Sequence, residues 1–170
     1  MSRFTLQKQS AKVQHVNLRE EKHGEDPVLG ADVKLVFDAS NDFLGQLSPT
    51  LKSALYASDV EATGQLSLVD AEQHLPVLRY PQLGPLTWAG DFAAELTLHG
   101  AKKADDVVFE RATIGKLSLC PKEGGTVEVT CRAQVHPGPE GAGALAAMLG
   151  HTPKVSVQPT DAAPSSGAVE

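Results

Sequence analysis

Few groupings of side chains in this sequence could do chemistry. His23-Gly24-Glu25-Asp26 sets an imidazole beside two carboxylates, a set able to bind a metal ion or to abstract a proton. It lies between two strand-like stretches, at a hairpin tip, where such groups are ordinarily just solvated. Asp105-Asp106, in a loop with Lys102-Lys103, reads the same way. The six histidines, His15, His23, His74, His99, His136 and His151, show no H-x-x-x-H pair and no clustered Cys/His spacing of the kind that holds zinc. Gly141-Ala-Gly143-Ala-Leu-Ala146 matches the G-x-G-x-x-A form of a dinucleotide fingerprint. Its supposed strand ends at Val135, however, His136-Pro-Gly-Pro139 is no tight turn, and too little chain follows to complete a βαβ unit. These glycines are expected on a small-residue helix face packed against a sheet. No G-x-S-x-G elbow, P-loop or H-E-x-x-H helix occurs. The expectation is a protein that is not an enzyme and uses neither cofactor nor metal.

Binding is better served by the residue types present. Recognition of single-stranded nucleic acid needs aromatic rings beside cations on an exposed sheet face. The rings available are Tyr80, Trp88, Phe92 and Phe109, with Arg79, Arg111, Lys116 and Arg132 as cations. Phe92 alternates in phase with Ala94, Leu96 and Leu98 and is expected in the core. Outward strand positions mix signs, Lys12, Lys34, Lys116, Arg132 and Lys154 against Asp32, Glu95, Glu110 and Glu128, as cross-strand ion pairs on a solvated face require. Tyr80 and Trp88 flank Pro81-Gln-Leu-Gly-Pro85, and with Arg79 they place a planar cation and two amphipathic rings around a proline-bounded loop. That is the composition of an interaction hot spot. The expected binding residues are therefore Arg79, Tyr80, Trp88, Lys116 and Arg132, with burial of Trp88 in the core as the competing reading.

These groups need a scaffold. A chain of 170 residues, 41% apolar and 21% charged, can bury one core without disulfides or metals. The net charge of −6 weighs against strong sequence-independent binding to nucleic acid, although residues 1–19 carry Arg3, Lys8, Lys12 and Arg19 and no acid. No apolar run approaches the roughly 18 residues of a membrane span, and Met1 to Leu6 does not open a secretory signal. A cytosolic protein with no membrane partner is expected.

Residues 11–21 and Ala31-Asp-Val-Lys-Leu-Val-Phe-Asp38 read as a long hairpin, with Ala31, Val33, Leu35 and Phe37 on one face. Val13 and Val16 are out of phase, which predicts a bulge near Gln14 and His15. Phe43, Leu47, Leu51 and Leu55 recur every four residues, and Ser48-Pro49 predicts a helix start, hence a turn at 42–47 and a helix at 49–57. The stretch through Leu86 reads as irregular, with a short helical turn for which Asp70 is the candidate cap and Pro76 the breaker. Strands follow at 92–98, 107–110, 114–120 and 126–135, then a helix through Ala142, Leu145, Ala146 and Leu149 ended by Gly150, and a last strand at Val155 and Val157. Cys120 and Cys131 fall on opposite strand faces and should remain free thiols. The fold class is mainly β (α+β), an antiparallel sandwich or partly open barrel of about seven or eight strands with two short helices. Residues 1–158 form the domain, and 159–170, which lack apolar periodicity, are expected to be a disordered tail.

Val13-Gln-His-Val-Asn-Leu-Arg-Glu-Glu-Lys-His-Gly24, Pro81-Gln-Leu-Gly-Pro-Leu-Thr-Trp88 and Glu123-Gly-Gly-Thr-Val-Glu-Val-Thr130 resemble a group of small uncharacterised proteins encoded by phages and prophages. The similarity spans most of the part expected to be ordered and carries over no site residue. It implies a setting in the cytoplasm of a bacterial host cell. There the chain would be a non-catalytic accessory of DNA replication or recombination that binds single-stranded DNA or a DNA-processing protein. The alternative is a protein-binding inhibitor of host defence, or a structural component, with no nucleic-acid contact. The oligomeric state is left open.

Overall fold

The computed structural model describes residues 3–24, 26–58 and 75–160. Glu25, Asp70 and residues 161–170 lie outside the described residues, as do the side chains of His23 and Asp26, so the expectations resting on them are not taken further.

Ten strands form among the described residues: β1 (Leu6–Ser10), β2 (Lys12–His23), β3 (Asp26–Ser40), β4 (Tyr56–Ala57), β5 (Val77–Leu78), β6 (Leu86–Trp88), β7 (Phe92–His99), β8 (Val107–Lys122), β9 (Thr126–Val135) and β10 (Lys154–Pro159). Eight of them make one antiparallel sheet in the order β1-β10-β7-β8-β9-β3-β2, with β6 added alongside β8, while β4 and β5 pair separately. The sheet curls into a half-barrel, the partly open barrel of the two architectures expected. Its outermost strands, β1 and β2, are consecutive in the chain and meet at the buried Ala11. At that end the Ala11 N–H donates to the Pro153 carbonyl (3.0 Å), the Val13 N–H to His151 (2.9 Å) and the Gly150 N–H back to Val13 (2.8 Å).

Alternation fills the concave side. Ala31, Val33, Leu35 and Phe37 of β3, Val127, Val129, Cys131, Ala133 and Val135 of β9, and Phe92, Ala94, Leu96 and Leu98 of β7 are all buried. Bulges supply the curvature. One falls between Val13 and His15, as the phase slip of Val16 predicts. In two others, Gln7 and Lys8 stand opposite the single Ser156, and Lys116 and Leu117 opposite the single Cys131. Lys8 (φ 50°) and Lys116 (φ 49°) are left-handed there, a conformation that costs a non-glycine residue energy.

Short helices pack against the half-barrel. A 3₁₀ turn (Asn41–Phe43) runs into α1 (Leu44–Leu47), then α2 (Leu51–Leu55) follows. Phe4 packs edge-to-face on Phe43 and Phe92, with ring centroids 5.1 Å apart in both pairs. The helix expected at 49–57 is shorter, because Tyr56 and Ala57 leave it to pair with Leu78 and Val77. Helix α3 (Gly138–Met148) buries Ala142 and Leu145 and rests on β2 and β3. Of the two fingerprint-like glycines only Gly141 faces the sheet, where a Cβ would approach Pro137 and Phe109, while Gly143 is exposed with open space around it. Ordered backbone passes the boundary expected at 158, since the Thr160 N–H donates to the Ala93 carbonyl at 3.0 Å. Cys131 is buried, Cys120 half-buried on the opposite face, and both are free.

Candidate functional site

Of the expected binding residues, Arg79 and Tyr80 lie on a projecting turn with a fixed base. The Arg79 N–H donates to the Leu55 carbonyl (2.9 Å), and its Nε donates to the Ser53 (2.8 Å) and Tyr56 (3.1 Å) carbonyls. It thereby satisfies carbonyls that the end of α2 leaves open. The preceding residues are pinned too: Asn41 Nδ2 donates to the Leu75 carbonyl (2.7 Å), and the Gly124 N–H to the Pro76 carbonyl (2.9 Å). From this base Tyr80-Pro81-Gln82-Leu83 forms a turn closed by the Leu83 N–H on the Tyr80 carbonyl at 2.9 Å, with proline at the position that favours it. Tyr80 is 59% exposed and Leu83 42%. Leu83 is thus a second exposed apolar residue on the same turn, one that composition alone did not single out.

Trp88 belongs to a different environment. It stands opposite Leu117 in the β6–β8 ladder and packs, half-buried, against the core. Phe92 and Phe109 are buried outright. Lys116 and Arg132 meet on the convex face, where they line a hollow of about 120 Å³ with Asp91, Thr113, Gly115 and Gln134. A Cβ on Gly115 would strike the Asp91 carboxylate, so glycine is what lets Asp91 fold over this hollow. The structure thus separates the five residues into the turn, the core-packed indole and a convex-face cation pair.

On the same convex face two further clusters form. Arg19 contacts Glu21 and Asp32, each at 2.5 Å, and Glu21 Oε2 lies 2.7 Å from His136 Nε2. The second cluster joins residues from three elements. Ser156 Oγ lies 2.7 Å from His99 Nε2, and His99 Nδ1 lies 3.2 Å from Asp106 Oδ2. Asp106 Oδ1 also accepts the Gly100 N–H at 2.9 Å. That backbone donor, ahead of the contact with His99, holds the Asp106 carboxyl below its ordinary pKa. Asp106 is therefore not the merely solvated loop acid expected from sequence. It closes the 100–106 loop and orients an imidazole. His99 and Ser156 are 57 residues apart, and neither carries a local pattern that would announce the pairing.

Among the described residues no group of three His, Cys, Asp or Glu side chains could hold a metal ion, and no helix is long and apolar enough to cross a membrane. No protein-family model, curated protein or solved structure matches this chain.

Proposed function

We propose that this chain is a phage-type binding protein that holds a protein partner, one that processes DNA during replication or recombination in a bacterial host cell. The role requires no catalysis. The observation that carries it is the exposed Tyr80–Leu83 pair on a turn whose base is hydrogen-bonded to α2 and to the β8–β9 hairpin. A turn whose backbone is already hydrogen-bonded in one conformation loses less entropy on binding than a free loop, and tyrosine is enriched in binding hot spots. A single strand of DNA finds less to hold: Phe92 and Phe109 are buried, Trp88 is packed on the core, and the net charge is −6.

Photo-crosslinking from position 82 in bacterial cells, with mass spectrometry of the captured chain, tests this. The expected result is one DNA-processing protein, lost in Tyr80→Ala/Leu83→Ser while the melting temperature is unchanged. Capture of a host-defence protein by the same turn would favour the inhibitor role instead. Binding of labelled oligothymidylate that weakens steeply with salt and ignores Tyr80→Ala would replace the proposal with a DNA-binding one.

A further inference from the structure

We infer that Ser156 is an activated nucleophile that takes an acyl group from an ester, with His99 as its general base and Asp106 as the residue that positions His99. The arrangement has the connectivity of a serine–histidine–carboxylate relay: Oγ to Nε2 at 2.7 Å and Nδ1 to the carboxylate at 3.2 Å. Such relays are recognised by geometry and role, not by position in the chain.

Hydrogen-bond bookkeeping sets the direction of the relay. The ionised Asp106 carboxylate can only accept, so in the neutral ring His99 Nδ1 carries the proton and donates to it. Nε2 is then left as an acceptor for the Ser156 hydroxyl proton, while the Lys8 N–H donates to Oγ at 3.0 Å. This is the tautomer a general base needs. Asp106 is kept ionised by the Gly100 N–H and is held from the opposite side of the loop, so it cannot swing away without opening residues 100–106.

The backbone at Lys8 adds a second, independent observation. Its left-handed φ of 50° belongs to the bulge that places Gln7 and Lys8 opposite Ser156, and it aims the N–H at a side-chain oxygen rather than at a ladder carbonyl. Strain of this kind concentrates at functional positions. For that N–H to serve as a donor to an oxyanion formed beside Oγ, it must turn from Oγ to the new oxygen once Oγ bonds to a carbonyl carbon. Access exists as well. Ser156, His99 and Asp106 are all partly exposed. Thr97 pairs with Ser156 on one side and with Val108 on the other. Val108, 49% exposed, edges a hollow of about 710 Å³ between β8 and α3. Asp106, Glu110, Arg111, His136 and Glu140 line it alongside Val108 and Phe109, so it has room one strand away for an acyl group with polar substituents.

In the reaction Oγ attacks the ester carbonyl and passes its proton to His99 Nε2. The tetrahedral intermediate collapses, the C–O bond to the alcohol breaks, and the alcohol leaves with that proton. Water, deprotonated by His99, then attacks the acyl-serine, releases the carboxylic acid and restores the hydroxyl. With one backbone donor for the oxyanion, turnover is expected to be slow and the acyl-serine to accumulate.

The test uses the full chain and a fluorophosphonate alkyl probe, in which Oγ displaces fluoride from phosphorus and the proton leaves as hydrogen fluoride. The expected result is one adduct, located at Ser156 by peptide mass spectrometry and absent from Ser156→Ala. Its rate should fall about a hundredfold in His99→Gln and at least about tenfold in Asp106→Asn, where the imidazole loses its orienting acceptor. No adduct at Ser156, or an unchanged rate in His99→Gln, overturns the inference. ¹⁵N NMR of the unmodified protein reports the His99 tautomer even if a variant fails to fold: a protonated Nδ1 in the neutral ring supports the relay, and a protonated Nε2 overturns it. Tyr80→Ala should leave labelling intact, so this site and the projecting turn fail or stand separately.

Discussion

The Tyr56 hydroxyl accepts the Lys122 N–H at 2.9 Å and donates to the Lys122 carbonyl at 2.7 Å, with the Thr126 carbonyl 3.0 Å away. Lys122 and Thr126 are the last pair of the β8–β9 ladder. One fully buried side chain therefore clamps the hairpin that also supports the Tyr80–Leu83 turn.

Tyr56→Phe keeps the ring and removes the hydroxyl, leaving the Lys122 N–H without that acceptor. A loss of about 1–2 kcal/mol is expected, read from the urea midpoint at unchanged m-value. Amide exchange should speed up at Lys122 and in residues 75–80 before it does in β3.

Stability should fall on the alkaline side. Burial pushes the Cys131 thiol up from 9.0 to about 12, so the folded state holds a proton that the unfolded chain releases. Its contribution is fully present below pH 9.0 and is lost as pH rises toward 12. Burial raises Tyr56 as well, which extends the loss above pH 10. Urea unfolding between pH 8 and 11 checks this, and Cys131→Ala should flatten the first part of the decline. Iodoacetamide at pH 8 should modify Cys120 well before Cys131.

Asp106 acts in the opposite pH range. Its folded carboxyl is depressed, first by the Gly100 N–H and then by His99. The stabilisation is present above the ordinary 3.8 and lost as pH falls through the lower folded value. The protection of the Gly100 amide against exchange, relative to the intrinsic rate at each pH, should therefore fall in acid, and Asp106→Asn should lack that pH dependence. Gly100→Ala should open the loop at any pH, because its Cβ would collide with Asp105.

Gly30→Ala tests the Glu21–His136 contact. A Cβ at position 30 would stand 2.8 Å from Glu21 Cδ, so the carboxylate must leave His136. Because a side chain rather than backbone has to yield, the cost should be modest, about 1 kcal/mol. The His136 ring resonances should shift while those of His99 do not.

Alternation is local information, and the chain displays it openly. The inward runs of β3, β7 and β9, the bulge at Val13–His15, the Gly150 stop and the opposed faces of Cys120 and Cys131 all follow from a period of two or from a residue's own backbone preferences. Those features need no knowledge of which strand lies beside which. The helix expected at 49–57 stops at Leu55 because Tyr56 answers to the β8–β9 hairpin, 66 residues away, rather than to its helical neighbours.

The sites depend on register between distant strands. Trp88 is half-buried because β6 joins β8 opposite Leu117, and Lys116 meets Arg132 because a bulge offsets β8 against β9. Ser156 reaches His99 because β10 pairs with β7 in one register out of several that would bury Val155 and Val157 equally well. Hydrophobic phase selects the face a residue points to, while the lateral order of strands and their offsets select its neighbours. That second choice is made by the half-barrel as a whole, where loop lengths, bulges and packed helices must be satisfied together.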